Sequence, residues 1–318
     1  MITPHYYENM KSIAVLVPAY NEEECVEELA RRLKAVFDSE PNYDWQAVII
    51  ENGSIDRTLE KLQMIAGTDS RFKILRLSRN FQMDGGLTAG LDNINTDACV
   101  LMTADLQDPP ELIPSFIRKW ECGYENIYGV VKERQGTSFI RKMNSRLFYK
   151  VAGWLSDGGI PENASDFRLV DRKVYETVRS MTERNRFVRG LFAWVGFKSI
   201  GVPFVRPPRF AGNSNAHSLK VLELALKGIF AHSHKPLRAV SIFGLVLSGI
   251  SMVALMFFAT VWFFVGVPFA GYGTIVGLIL FAVGIQSLLL GILSEYIGLV
   301  YEEVKGRPNF VVSEKFGL

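Results

Sequence analysis

Charge is scarce in this chain, and so is any imbalance of it. Of 318 residues only 21% are charged, and 35 basic side chains stand against 33 acidic ones, a formal net charge of +2. A nucleic-acid-binding surface needs a basic excess, so no nucleic-acid partner is expected. Cysteine is scarcer still: Cys25, Cys99 and Cys122 are odd in number and lie in no ligand-like spacing. That argues against a disulfide framework or a zinc site and for buried free thiols in a reducing compartment. No G-x-G-x-x-G follows the first apolar run, Ile13–Val17, which speaks against a dinucleotide dehydrogenase. The same run is too short for the core of a cleavable targeting signal and reads as a strand. With 48% hydrophobic residues and no internal repeat, a disordered or collagen-like chain is excluded.

What is present is unevenly placed. Near residue 235 short apolar runs give way to two long ones, about Ala239–Val267 and Thr274–Tyr301. Each exceeds the roughly 20 residues needed to cross a hydrocarbon core of about 30 Å, so a two-helix transmembrane hairpin is expected. Lys220, Lys227, Lys235 and Arg238 precede the pair, Lys305 and Arg307 follow it, and the loop Pro268–Gly273 carries no positive charge. The positive-inside rule then places both termini and the front domain in the cytoplasm, at the inner (plasma) membrane. Glu295 lies near the end of the second span, within reach of the interface. Gly244, Ser248, Gly249, Gly284, Ser287 and Gly291 permit close helix packing, and homo-oligomerisation is expected. Between Lys220 and His234, Leu222, Ala225, Leu226, Ile229 and Phe230 form one apolar face, as an interfacial helix requires. The expected division is a catalytic domain over 1–214, an interfacial linker over 215–238, two spans over 239–301 and a cytoplasmic tail over 302–318.

The front part reads as α/β. Ile13–Val17, Ala47–Ile50, Lys73–Leu77 and Ala98–Met102 are short β-rich runs suited to central parallel strands. Val26, Leu29, Leu33, Val36 and Phe37 recur at helical spacing after the acidic start Glu22–Glu24, and Leu59, Leu62 and Ile65 repeat the pattern. Repeated βα units imply a doubly wound, mainly parallel sheet with its ligand site at the carboxyl ends of the strands.

Three strand-end loops carry chemistry. Pro18-Ala19-Tyr20-Asn21-Glu22 offers a fixed exit, a flat ring and a carboxylate near a helix start. Glu51-Asn52-Gly53-Ser54-Ile55-Asp56 combines a glycine with side chains able to read a base or ribose, and Ser54 or Asp56 can cap the next helix. Thr103-Ala104-Asp105-Leu106-Gln107-Asp108-Pro109-Pro110-Glu111 places Asp105 and Gln107 as oxygen donors ahead of a rigid turn. A hard divalent ion bridging such a carboxylate to a diphosphate is a common use of that pattern.

Taken together, VPAYNEEE, ENGSIDRT, SRNFQMDGGLTAG and TADLQDPPE resemble glycosyltransferase family 2, of the GT-A Rossmann-like nucleotide-sugar-binding fold. With SDFRLVDRK and two terminal spans, the chain is most similar to the polyprenyl-phosphate (bactoprenol) glucosyltransferases and, more distantly, the dolichol-phosphate mannose synthases. The resemblance places Pro18, Tyr20, Asn21, Glu22, Glu51, Asn52, Ser54 and Asp105 around the nucleotide sugar. It makes Asp105 and Gln107 the ligands of Mg2+ or Mn2+. Thr103 stands at the first acidic place of the family's D-x-D-x-Q motif, which implies an ion held mainly by the donor diphosphate.

The acceptor side is cationic. Lys132 and Arg134 follow a fifth strand-like run, Ile127–Val131, and Arg141, Ser145 and Arg146 lie on an amphipathic helix. The resemblance implies that Arg134, Arg141 and Ser145 hold the lipid phosphate, with Lys132, Arg206 and Arg209 as further contacts. A guanidinium suits this, since its planar fork gives two parallel hydrogen bonds. Asp157 and Asp166 are alternatives for the base position, and Arg168 for orienting a carboxylate or diphosphate. Later, Asn215 and Ala216 stand where relatives carry lysine and an aromatic residue. The activity implied is inverting transfer of a hexose, glucose from UDP-glucose first, to a polyprenyl phosphate. Another donor (GDP-mannose or a UDP-linked amino sugar) and a degenerate nucleotide-binding membrane scaffold are the alternatives. No Gln-x-x-Arg-Trp motif of a processive synthase is present.

Overall fold

The computed structural model describes residues 10–134, 161, 163–208, 210, 235–265 and 272–318. Two compact units emerge, one of residues 1–221 with 307–318, the other of residues 222–306.

The first unit is built on an eight-stranded sheet. Its strands are β1 (Ser12–Ala19), β2 (Asp44–Glu51), β3 (Phe72–Leu77), β4 (Ala98–Leu101), β5 (Asn126–Arg134), β6 (Ala164–Asp171), β7 (Ser199–Arg206) and β8 (Val312–Phe316). Their order is β7-β5-β6-β4-β1-β2-β3-β8. The apolar runs anticipated from sequence form the parallel centre β3-β2-β1-β4. Ile13 to Val17 are all fully buried, as a strand covered on both faces must be. Ile13, Val15 and Val17 join one core and Ala14 and Leu16 the other, the alternation that a pleated strand imposes.

Helices cover both faces. On one side lie α1 (Val26–Ser39), α2 (Thr58–Thr68) and α4 (Ile113–Glu121); on the other α3 (Gln82–Asp92), α5 (Arg172–Ser180) and α6 (Val188–Trp194). The five residues that mark α1 in the sequence are all buried. Helix α3 is less expected, because QMDGGLTAGLD carries three glycines and intrinsic propensity opposes it. Packing explains them. A Cβ on Gly86 would sit 3.1 Å from the Pro18 ring, and one on Gly90 would sit 3.0 Å from Ile50 Cδ1. The missing side chains let α3 lie directly on β1 and β2.

Three strands depart from the parallel expectation or from the sequence reading. β6 runs antiparallel between β4 and β5, so its first residues, Ser165 and Asp166, arrive at the carboxyl end of β4. β7 is parallel to β5 and carries Pro203, tolerable on an outer strand where a missing donor costs no ladder bond. The last segment, read from sequence only as a tail, supplies β8, antiparallel to β3.

The second unit contains α7 (Lys235–Val265) and α8 (Tyr272–Lys305), matching the two long apolar runs. At 1.5 Å per residue they are about 46 and 51 Å long. Leu245, Phe263 and Phe264 of α7, and Phe281, Ile297 and Val304 of α8, are exposed. Among the described residues one segment, Phe281–Lys305, is long and apolar enough to cross a membrane. The expected interfacial helix over 220–234 lies outside the described residues.

Candidate active site

Because β6 enters from the carboxyl edge of the parallel strands, its first residues join the three strand-end loops after β1, β2 and β4 along one rim of the sheet. The loops after β1 and β2 are stitched together. Asn21 adopts a left-handed φ of 54°; its N–H donates to Ser54 Oγ at 3.1 Å and its Oδ1 accepts from Ile55 N at 3.0 Å. Glu22 N donates to Thr58 Oγ1 at 2.9 Å, and Arg57 N donates to Glu23 Oε2 at 3.0 Å. Asp56, two residues before α2 begins, accepts from Thr58 N at 3.0 Å, and Ser54 Oγ takes the Asn21 contact. Tyr20 and Asn21 remain exposed, and Pro18 is half-buried beneath α3.

Glu51 and Asn52, adjacent in sequence, behave differently. Asn52 spends its amide on the loop before α3: Oδ1 accepts from Phe81 N and Nδ2 donates to Gln82 O, both at 2.9 Å. Glu51 is fully buried, accepts from Ser54 N at 2.5 Å through Oε1, and leaves Oε2 with no hydrogen-bond donor. Gly53 has φ +71°, and a Cβ there would lie 2.7 Å from Arg79 Cα. The glycine therefore serves the approach of one loop to another.

After β4 the chain makes a tight acidic turn. Thr103 Oγ1 lies 2.7 Å from Asp105 Oδ1 and 3.0 Å from Asp108 Oδ2, so its single proton serves one carboxylate at a time. Gln107 N donates to Asp105 Oδ1 at 3.3 Å, and Leu106 takes a left-handed φ of 58° to close the turn. Asp108 was not anticipated as part of the site. It is fully buried, which pushes its pKa up, against the opposing pull of Arg206 and the Thr103 hydroxyl. Arg206 Nη2 stands 3.4 Å from Asp108 Oδ1, and Ser165 Oγ donates to the same oxygen at 3.3 Å. Arg206 Nε is buried without a hydrogen-bond partner.

Across the rim, Asp166 is gripped by both nitrogens of one edge of Arg189, Nε at 2.6 Å to Oδ1 and Nη2 to Oδ2. Burial raises the Asp166 pKa, but the guanidiniums of Arg189, Arg168 and Arg206 outweigh it and hold the carboxyl below its ordinary value. Arg168 is itself buried, which pushes its pKa down to about 10 against the pull of Asp166. Its guanidinium faces the Phe192 ring at 5.0 Å and donates to Ser165 O at 3.2 Å. Beside this pair lies Asp84, in the first turn of α3, accepting from Val188 N at 3.0 Å. Burial raises its pKa to about 6, with the Asp166 charge adding to the rise.

Arg189 and Asp84 escaped the sequence reading, although Arg-Gly at 189–190 following an aspartate-bearing strand is the one signal that could have marked the first. Lys132 is exposed near the end of β5, and Arg134 is the register partner of Arg206. The Arg134 side chain, with Asp157, Arg141, Ser145, Arg209 and the loop at Asn215 and Ala216, lies outside the described residues.

For a divalent ion the donor set is narrow. Among the described residues there is no cluster of three or more His, Cys, Asp or Glu ligands. Asp108 is committed to Arg206 and Ser165; the hard oxygen donors expected from sequence are the Asp105 carboxylate and the Gln107 amide. That set fits an ion whose remaining ligands come from a bound diphosphate.

A doubly covered α/β sheet with acidic, amide and arginine side chains gathered on its carboxyl rim carries its candidate chemistry where open α/β sheets bind ligands. Residues 14–179 match the family described as glycosyl transferase family 2, and the chain belongs to that family. It is 39% identical over 305 residues to the glycosyltransferase YkcC of Bacillus subtilis, covering 96% of this chain and 94% of that one. It is 36% identical over 304 residues to the SfII prophage-derived bactoprenol glucosyl transferase of Shigella flexneri, covering 95% and 97%. Among solved structures, mannosyl-3-phosphoglycerate synthase from Rubrobacter xylanophilus superposes with a TM-score of 0.49 at 14% identity, over 72% of this chain and 74% of that one. The protein is a glycosyltransferase.

Proposed function

We propose that this glycosyltransferase moves a hexose, glucose from UDP-glucose, onto the phosphate of a polyprenyl phosphate with inversion at C1, at the cytoplasmic leaflet. The observation that carries the reading is the meeting, on one rim, of a donor-type acidic turn at Thr103–Asp108 and a second group of Asp166, Arg168, Arg189 and Arg206. The first suits a cation-bridged diphosphate; in the second, Arg189 and Arg168 hold Asp166 and Ser165 O, and Arg206 is the guanidinium that suits a phosphate-bearing acceptor. Relatives named bactoprenol glucosyl transferase, aligned over nearly the whole chain including its C-terminal helices, support the acceptor class.

In this reading Tyr20, Glu51 and Ser54 face the nucleoside, and Asp105 with Gln107 would hold Mg2+ or Mn2+ against the donor diphosphate. The ion's contribution is to offset charge on the departing diphosphate. Lys132, Arg134, Arg141, Ser145, Arg206 and Arg209 receive the acceptor phosphate and hold its oxygen in line with C1. A phosphate monoester has its second pKa near about 6 and is largely ionised at neutral pH, so the attacking oxygen needs little help from a base. Asp166 fits this. A carboxylate whose pKa is depressed by Arg189 is a poor proton acceptor at neutral pH, and its work is to orient groups at the reacting centre. Helices α7 and α8 both cross the bilayer in this reading, with their connection on the far side and the basic flanks inside.

The test is direct. The full chain in detergent, given labelled UDP-glucose and a short polyprenyl phosphate, yields an organic-extractable labelled lipid whose formation stops with EDTA. A donor panel including GDP-mannose and UDP-N-acetylglucosamine fixes the sugar. No transfer from any of these donors overturns the reading.

A further inference from the structure

Glu51 is the most deeply buried carboxylate on the nucleoside side of the rim, its side chain 1% exposed. One oxygen is satisfied by Ser54 N, and the other has no hydrogen-bond donor. A buried carboxylate left like this is costly unless a cation stands by and a ligand completes it. The cation is Arg76, on β3, whose Nε lies 3.5 Å from that second oxygen. Arg76 belongs to none of the motifs read from the sequence. Its other end is held by the C-terminal strand: Nη1 donates to Glu314 Oε1 at 3.2 Å, Ser313 Oγ donates to Arg76 O at 3.3 Å, and Arg76 and Glu314 are register partners.

The strand is seated independently of this ion pair. Ser78 N donates to Val311 O at 2.9 Å, and Asn309 Nδ2 donates to Glu183 O at 3.1 Å. Asn309 O fills the space a Cβ on Gly85 would need, 3.1 Å from that position. Phe310 and Val312 pack on the core that contains Leu77 and Leu87. The segment after the last helix is thus built into the donor end of the sheet.

We infer that Arg76 is a positioning residue for the donor, setting Glu51 for the nucleoside, and that Glu314 holds Arg76 in place, so that the C-terminal strand completes the donor subsite. The inference rests on the reading that Glu51 faces the nucleoside. Arg76 sets a positive charge beside the buried Glu51 carboxylate and fixes the edge it presents. Glu314 restrains a long side chain that would otherwise be free to swing toward solvent.

The experiment measures binding of UDP with Mn2+ to the full-length protein in detergent by calorimetry, with thermal melts as a folding control. Glu51→Gln, Arg76→Gln, Glu314→Gln and the exchanged pair Arg76→Glu with Glu314→Arg are compared with the unchanged chain. Removing the partner of a buried carboxylate should weaken UDP binding about tenfold in Arg76→Gln, with the loss in donor KM rather than kcat. Glu314→Gln, a partly exposed contact, should cost about two- to fivefold. The exchanged pair restores the charge pairing of β3 with β8 but sets a carboxylate beside Glu51, so UDP affinity does not recover. Full recovery of affinity in the exchanged pair overturns the inference, as does unchanged affinity in Arg76→Gln when Glu51→Gln is weakened. Unchanged affinity in Glu51→Gln has a different signature: it overturns the donor-subsite reading and this inference with it.

Discussion

Gly53→Ala isolates the close approach of the loop after β2 to the loop before α3. Two costs add. Placing alanine at φ +71° forces an L-residue into the left-handed region, about 1–2 kcal/mol. The new Cβ would also lie 2.7 Å from Arg79 Cα, 2.8 Å from Arg79 C and 3.1 Å from Asn80 N. All three are backbone atoms, so no side chain can swing aside and the two loops must part by several tenths of an ångström. Overpacking of that kind costs about 1–3 kcal/mol. The sum, ~2–5 kcal/mol, is a large share of the 5–15 kcal/mol typical of a domain and should lower the melting temperature by roughly 5–20 °C. UDP affinity falls too, because the 51–54 and 80–82 loops are tied through Asn52, with Glu51 at their junction. Gly67→Ala, in α2 with nothing within 4 Å of its Cβ position, is the control and should gain about 0.5–1 kcal/mol. Melts of both variants, followed by tryptophan fluorescence in detergent, decide it. If Gly53→Ala melts within a degree or two of the unchanged chain, the close approach of these loops is refuted.

The other expectations concern charge. Asp84 has a folded pKa of about 6 against an ordinary 3.8, so the folded chain binds the extra proton between those values. Its contribution to stability is complete below that window and is lost as pH rises through it. The gap corresponds to at most about 3 kcal/mol, and partial exposure leaves ~1–2, so Asp84→Asn should melt higher than the unchanged chain at pH 7.5 and lose that advantage by pH 4. Arg189→Gln removes the pull that keeps Asp166 ionised; kcat should fall about a hundredfold with the acid limb of its pH profile moved up, and Arg189→Lys should recover part of both. Thr103→Asp would set a third carboxylate within reach of Asp105 and Asp108. Its melting temperature should drop in EDTA and rise with Mn2+ by more than the unchanged chain's does.

How much of this was legible in the sequence depended on whether a residue's neighbours were local. The four central strands and α1 announce themselves because their burial is dictated by period alone. β6 was read as a motif rather than a strand because Asp166 and Arg168 interrupt its apolar pattern, and β7 hides behind Pro203. β8 is a short, charged outer strand whose assignment depends entirely on β3 far earlier in the chain. Helix α3 contradicts propensity, and only the closeness of Pro18 and Ile50 explains its glycines. The site divides in the same way. Asp105, Gln107 and Glu51 follow from spacing after a strand, whereas Arg189, Asp84 and Arg76 act through partners many residues distant. Asp105 and Asp108 look alike in TADLQDPPE, yet the second is fully buried and committed to Arg206.

That commitment bears on how two anionic substrates can share the rim. Arg189 is spent on Asp166, and Arg168 on Ser165 O and the Phe192 face, so neither offers a free charge to a lipid phosphate. Arg206 differs. Its Nη2 stands 3.4 Å from Asp108 Oδ1, its Nε lacks an acceptor, and its side chain is 25% exposed. A phosphate oxygen reaching Nε would satisfy a buried donor at little desolvation cost, while Asp108 keeps the guanidinium from turning away. In the proposed reading Arg206 would link the acidic turn on the donor side to the group on the acceptor side, and a change there should disturb both substrates. Arg206→Lys keeps the charge but loses the fork, so acceptor KM should rise by about tenfold with a smaller rise for the donor. Equal and small effects on both constants would mean that Arg206 only neutralises Asp108.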